Sequence, residues 1–230
     1  MARKDRAPTP PKRPQGPRQR GAQPSGDDRR RRLILYAVAA SGVVALVAVA
    51  AALAFAGGGS GGGSSSDPRK ALEAAGCTYQ VTPAAKFGQH VTSLQAKVHY
   101  TTFPPASGKH YYVPAVWGFY TDPVLEIQAV HNLEHGGIII SWGKQVSQAQ
   151  IRKIQRFYDE SPNAMLAFPL PALGNKIALV AWTEKPNEKQ GQNRIAKCTN
   201  FDEKAFKAFR DAFRGKGPER FPVDSLTPGT

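Results

Sequence analysis

The sequence predicts an α+β fold, formed by a single compact extracytoplasmic domain that follows one N-terminal transmembrane helix. Residues 33–56 contain no charged side chain, and a helix of about 20 apolar residues crosses the hydrocarbon core of a bilayer. Continuous β-rich runs occur at 138–142 and 177–182, which is typical of buried strands. Helical periodicity followed by a stop signal occurs at 147–160 and 200–213. No internal repeat separates these patterns, so they belong to one mixed domain.

The N-terminal region divides into a basic tail, the apolar segment and a linker. Residues 1–32 hold 11 basic and 3 acidic side chains and are rich in proline, which predicts a disordered cytoplasmic tail in contact with anionic lipid headgroups. Arginines occupy positions 29–32, directly before the apolar segment, and place the N-terminus inside by the positive-inside rule. Residues 54–56 also resemble a small-residue cleavage site, so removal of the segment stays open. Residues 57–66 form a Gly/Ser linker.

The domain itself is predicted over residues 67–214, with 215–230 as a loose C-terminal tail. Asp67 and Pro68 are a cap and a first helical position, and they predict a short helix over 68–75. Apolar and polar residues alternate over 94–100, which predicts a strand. Ser147 and Gln150 have the spacing of a capping box at the start of the helix at 147–160.

The charge balance does not indicate nucleic-acid binding. The chain has a net charge of +14, but more than half of the excess lies in the N-terminal tail. The sequence contains no P-loop, dinucleotide fingerprint or nucleic-acid-binding signature. We therefore expect neither a nucleotide cofactor nor a nucleic-acid partner, whereas a protein partner in the cell envelope stays open.

The chain has only two cysteines, Cys77 and Cys198. This number excludes disulfide-dense scaffolds and multi-cysteine metal sites. In an exported domain two cysteines usually form a disulfide, and we expect this pair to do so because neither cysteine lies in the histidine-bearing segment. Thiolate ligation of a soft copper site is the alternative.

All five histidines lie between His90 and His135. The Pro-Pro turn before His110 presents that residue on a rigid loop. His131 and His135 are four positions apart, so their rings share one face on a helical turn. In an extended segment they also share a face, and the two rings are expected to be neighbours in either conformation.

Two of these stretches resemble a known family. The sequence PPASGKH at 104–110 and the sequence VHNLEHGG at 130–137 are similar to the PPxSGxH and HxLEHG motifs of the bacterial domain-of-unknown-function 3105 family. The resemblance extends over roughly residues 75–200, and Cys77, Cys198 and His90 also match family positions. The family implies no established activity, so the function has to be argued from the residues.

A histidine cluster of this kind favours a transition-metal site. Three imidazoles, from His110, His131 and His135, with His90 as a fourth, suit copper or zinc. Glu134 is a candidate ligand, a partner that orients a ring, or a base. The chain contains only two methionines, which argues against a methionine-rich copper(I) site and leaves copper(II) or zinc.

Two other interpretations stay open. The histidines can be structural within a non-catalytic envelope interaction module, whose aromatic residues line a groove or form the core: Tyr100, Phe103, Tyr111, Tyr112, Trp117, Phe119 and Tyr120. The segment 131–135 also fits the H-x-x-E-H pattern of zinc hydrolases. That hydrolase interpretation needs a further carboxylate, Glu203 or Glu219, and Gly136 ends the helix at once. A catalytic role for Ser107 is weaker still, because Ser-Gly is ordinary turn chemistry.

Overall fold

The computed structural model describes residues 67–188 and 190–230. They form a mixed α+β domain with four α-helices and a six-stranded sheet. The helices are α1 (Pro68–Ala74), α2 (Glu126–Glu134), α3 (Gln148–Asp159) and α4 (Glu203–Phe213). Within these residues no helix is long and apolar enough to cross a bilayer. The predicted tail, membrane span and linker at 1–66 lie outside the described residues.

The large sheet has the order β1-β8-β7-β5-β6-β4. Its strands are β1 (Thr78–Pro83), β4 (Gly118–Phe119), β5 (Ile138–Trp142), β6 (Met165–Pro169), β7 (Ile177–Thr183) and β8 (Gln192–Cys198). The β1–β8, β8–β7 and β7–β5 pairs are antiparallel, whereas β5–β6 and β6–β4 are parallel. A separate two-stranded parallel sheet pairs β2 (His90–Val91) with β3 (His110–Tyr111).

Both faces of the large sheet are covered, which explains the continuous apolar runs of its central strands. On one face Ile138 and Ile140 pack with buried residues of α1, α3 and α4. On the other face Ile139 packs with Val130 and Leu133 of α2. The strands β5 and β7 are buried along their whole length.

Two predicted helix starts are confirmed, whereas the helix predicted from residue 200 begins at Glu203, with Asp202 as its cap. The Asp67 carboxylate accepts a hydrogen bond from the Arg69 amide at the start of α1. Ser147 accepts from the Gln150 amide at the start of α3. The second half of the predicted capping box is absent, because the Gln150 side chain instead accepts a hydrogen bond from the Phe201 amide, 2.9 Å away.

Two sequence predictions are wrong. The segment 94–100 is not a strand. Its alternation is real, since Ala96, Val98 and Tyr100 are partly buried, but the segment pairs with no strand in the described part of the chain. Alternation of apolar and polar residues identifies the buried face of an extended segment, but a strand also needs a neighbouring strand with which to form hydrogen bonds.

The second error is the loose C-terminal tail at 215–230. The Gly215 amide donates to the Gly136 carbonyl, 2.8 Å away, and the Glu219 amide donates to the Glu134 carbonyl, 3.0 Å away. The Ala164 amide donates to the Leu226 carbonyl, 2.7 Å away, and Leu226 itself is buried. Gly217 allows close contact between this segment and the backbone at Glu134 and Gly136, whereas glycine and proline content alone predicts a loose chain.

Candidate metal centre

Helix α2 ends inside the histidine segment and places three of its side chains at one end of the domain. Glu134 is the last residue of the helix and His135 is its C-cap. Gly136 follows with a φ of +86°, a conformation that glycine adopts without strain. His131 lies one turn before His135, and the two rings are in contact with centroids 4.5 Å apart. The helical interpretation of this segment is therefore confirmed.

The small sheet brings the other two histidines together. His90 and His110 are directly opposite each other in the β2–β3 pair, and the His110 amide donates to the Gln89 carbonyl. The loop before β3 is buried from Pro104 to Gly108. Its Ser107 hydroxyl accepts a hydrogen bond from the Ala85 amide, which gives this serine a structural role in the loop.

Four of these side chains converge. One ligand atom from each of His90, His110, His131 and Glu134 can be chosen so that all four atoms lie within 4.8 Å of one another. The Glu134 Oε2 atom lies 3.0 Å from Nε2 of His110 and 3.4 Å from Nε2 of His90. The four residues can therefore hold a metal ion, with nitrogen and oxygen donors of the kind that copper and zinc accept.

Backbone carbonyls fix the protonation of two rings. Nδ1 of His110 lies 2.7 Å from the Gly108 carbonyl oxygen, and Nδ1 of His131 lies 2.8 Å from that of Tyr111. A carbonyl oxygen only accepts hydrogen bonds, so Nδ1 carries the proton in both rings. In the neutral imidazole Nε2 then presents a lone pair, which is the form that binds a metal.

The centre of the cluster contains polar atoms that protein groups leave unpaired. His110 and Glu134 are fully buried, and neither His110 Nε2 nor Glu134 Oε2 has a hydrogen-bond partner among the described residues. The two atoms lie 3.0 Å apart. Buried polar atoms of this kind require a partner, and two donor atoms at this separation can both bind one cation.

The second Glu134 oxygen is held by the backbone. Oε1 accepts a hydrogen bond from the Gly88 amide, 2.6 Å away. Burial on its own raises the pKa of Glu134, but the contacts with the His110 ring and the Gly88 amide outweigh it. The pKa therefore lies below its ordinary value, and the carboxylate stays ionised at neutral pH.

Burial also keeps two imidazoles, those of His131 and His135, neutral at neutral pH. It lowers the pKa of His131, with further lowering by the nearby His110 and His90. Burial and the neighbouring His131 lower the pKa of His135 to about 4. Neutral imidazole is the metal-binding state, so little proton competition is expected at these two residues at neutral pH.

The structure places His135 beside the four-residue cluster. His135 forms a second group of possible ligands with His131 and Glu219, and its Nε2 atom lies 3.2 Å from Oε2 of Glu219. The expected set of His110, His131 and His135 therefore contains two members of the converging group. His90, expected as a fourth ligand, and Glu134 complete that group.

The groups that hold the cluster in place are largely invisible in the sequence. They are the Gly88 amide, the carbonyl groups of Gly108 and Tyr111, and the Asn132 side chain. The buried Asn132 forms two hydrogen bonds with the Ala115 backbone, which attaches the loop after β3 to helix α2. The neighbouring position of Asn132 in the motif was a signal, whereas the backbone groups leave none in a sequence.

The remaining predicted residues lie elsewhere. Cys77 and Cys198 form a disulfide, and the described residues contain no free cysteine. Glu203 lies in the first turn of α4 and belongs to neither group of possible ligands. Of the candidate groove aromatics, Trp117 is buried, whereas Phe103 and Tyr112 are exposed.

Comparison with known proteins gives one match. The model of the family described as "Protein of unknown function (DUF3105)" matches residues 90–224, which is more than half of the 230-residue chain. No curated protein and no solved structure matches the chain. The matched region begins at His90 and contains all four converging side chains. The chain belongs to the DUF3105 family.

Proposed function

We propose that this protein binds one divalent transition-metal ion, zinc(II) or copper(II), through His90, His110, His131 and Glu134. The observation that carries the proposal is the buried pair of His110 Nε2 and Glu134 Oε2, which are 3.0 Å apart and have no hydrogen-bond partner in the described chain. A metal ion between these atoms supplies the missing partner and balances the buried carboxylate charge.

The ligand set supports a divalent ion. Three imidazoles and one carboxylate are intermediate to hard donors, as zinc(II) and copper(II) prefer. Both cysteines are in the disulfide, and Met165 lies fully buried in the core strand β6. The residues that the structure describes therefore offer this site none of the soft sulfur donors that copper(I) prefers.

The geometry favours binding over hydrolysis. In the hydrolase interpretation Glu134 is a free base that activates water. Here its Oε1 atom accepts the Gly88 amide, and its Oε2 atom faces His110 and His90. Oε1 is thus occupied by a backbone amide, and Oε2 lies among the histidine nitrogens, which is the position of a ligand.

We further propose that the domain is anchored to the bacterial cell membrane and lies on its outer side. The charge-free segment 33–56 and the arginines before it support this orientation. The Cys77–Cys198 disulfide supports an oxidising compartment. The basic tail at 1–32 would then bind anionic lipids from the cytoplasmic side, and the oxidation state of the cysteines in cells tests the compartment.

The metal proposal is tested by titrating the purified full-length protein with zinc chloride and with copper sulfate, with a competing chelator to measure Kd. We expect one equivalent to bind. Glu134→Gln and His131→Ala should each weaken binding by about 100-fold or more, because each removes one of four ligands; loss of a mere supporting residue costs about 10–100-fold.

The matched control is His99→Ala. His99 is exposed and belongs to neither group of possible ligands, so its removal should leave Kd unchanged. Circular dichroism of each variant checks that the fold is retained. Equal Kd values for Glu134→Gln and the unmodified protein, or no binding by a folded unmodified protein, would contradict the proposal.

A further inference from the structure

The proposed metal site leaves one neighbouring pair of side chains without a role. His135 and Glu219 form a second group of possible ligands with His131, and their three ligand atoms lie within 4.8 Å of one another. The two groups therefore share one residue, His131. Because the two groups overlap, they are either sites for two ions or alternative positions for one ion.

His131 can serve only one ion at a time. Its Nδ1 is engaged with the Tyr111 carbonyl, so only Nε2 is available as a ligand. One nitrogen lone pair binds one metal ion, and the two groups are therefore alternative positions for the same ion.

The two positions differ in exposure to solvent. In the inner group the side chains of His110 and Glu134 are fully buried. In the outer group the side chain of His135 is 14% exposed and that of Glu219 is 35% exposed. In the inner group His90 is 37% exposed, so an ion there is enclosed on the sides of His110, His131 and Glu134 and open beside His90. At the outer position both His135 and Glu219 are partly exposed, so an ion there can keep water ligands.

The outer position is held by packing. The Glu219 amide donates to the Glu134 carbonyl, and a Cβ atom on Gly217 would lie only 2.4 Å from that same oxygen. The Phe221 ring packs against the His135 ring with centroids 4.4 Å apart. The segment that carries Glu219 is thus attached to the end of helix α2, directly beside the inner ligands.

We propose that His135 and Glu219 form a transient outer position through which a divalent ion enters and leaves the inner site. This inference rests on the proposed metal binding. The ion first binds His135 and Glu219 from water and then His131. His90, His110 and Glu134 replace the two outer ligands as the ion moves inward. No bond other than metal–ligand bonds forms or breaks, and the ion keeps its charge.

The test is a stopped-flow measurement of zinc association and of chelator-induced zinc dissociation with the full-length protein. For His135→Gln and Glu219→Gln we expect both rate constants to fall by tenfold or more, with Kd unchanged within about twofold. A route speeds the reaction in both directions by the same factor, because the free energies of the two end states do not depend on it.

Two controls separate the route from other effects. Glu160→Gln removes an exposed carboxylate at the end of α3 and tests the general effect of charge on association. His99→Gln tests the loss of an exposed histidine. Both should retain the rates of the unmodified protein.

Either of two results would overturn the proposal. A weaker Kd that arises mainly from faster dissociation would make His135 or Glu219 a ligand of the bound ion. Unchanged rates would mean that the ion passes along the partly exposed His90 instead. If the unmodified protein bound no zinc in the equilibrium titration, the proposed function itself would fail, and that result is obtained before any variant is made.

Discussion

The central sheet and the histidine loops at 84–117 are built on different principles. In β5 and β7 every residue is buried and the strands are paired along their length. The histidine loops contain only the two residues each of β2 and β3 as strand. They are held by bonds from side chains to backbone, such as those of Ser107 and Asn132. Apolar burial organises the sheet, whereas polar groups organise the loops around the candidate metal centre.

The largest expected effect concerns the sheet and the disulfide that joins it to α1. Replacing Cys77 and Cys198 together with alanine should lower the free energy of unfolding by about 2–5 kcal/mol, the usual range for a native disulfide. The bond joins residues separated by 121 positions, and its loss enlarges the freedom of the unfolded chain. Denaturant unfolding of the full-length protein measures the change.

The same variant sharpens the comparison of the two regions. Its zinc affinity should stay unchanged, since neither cysteine belongs to the possible ligand groups. A large loss of zinc affinity in the folded variant would show that the sheet and the loops are energetically coupled.

The second effect concerns the loops alone. Zinc at 100 times its Kd should stabilise the protein by about 2.7 kcal/mol, because the ion binds the folded state. Hydrogen exchange should slow mainly in residues 84–117 and at the end of α2, where the four side chains converge. Equal protection of β5 and β7 and of the loops would remove the distinction between the regions.

The smallest effect is a pH dependence of the metal-free protein. The pKa of His135 falls from 6.5 to about 4 in the folded protein, so below pH 6.5 the unfolded chain binds more protons. Stability therefore decreases as the pH is lowered from about 6.5 to about 4. We expect the His135 contribution to be about 1 kcal/mol between pH 6.5 and pH 5.5.

The variant His135→Gln isolates this contribution. Unfolding experiments at the two pH values should show a smaller loss of stability for His135→Gln than for the unmodified protein. The exposed His99 provides the matched control, and His99→Gln should retain the full dependence. An equal dependence in all three proteins would mean that His135 titrates normally in the folded state.

The predictability of the fold follows the same division between the regions. Apolar patterns report which faces are buried, and they were sufficient to predict four elements. These are the strands at 138–142 and 177–183 and the helices α3 and α4. The segment 94–100 shows such a pattern but pairs with no strand in the part of the chain that the structure describes, and pairing depends on residues distant in sequence. The closure of 215–230 onto the domain depends on backbone contacts at Gly136 and Gly217, which composition does not reveal.

The candidate site was predictable in residue type and less so in arrangement. The spacing of His131 and His135 indicated neighbouring rings, and the rings are neighbours. The arrival of His90 beside His110 depends on the pairing of β2 with β3, which places the two residues opposite each other. That pairing joins segments distant in sequence. The convergence of Glu134 on the same point depends on the Gly88 amide, a backbone group that no side-chain pattern identifies.

The position of the disulfide has a mechanical consequence under the proposed anchoring through the segment before Asp67. Helix α1 precedes Cys77, and Cys198 ends β8, a strand with neighbours on both sides. A pulling force that enters before Asp67 can detach α1, but at Cys77 the covalent bond transfers the load to β8. Strand β1 is then bypassed, and its hydrogen bonds do not open one after another. The load then reaches a strand that is paired on both sides, so the bond moves the point of attachment from the edge of the sheet to its interior.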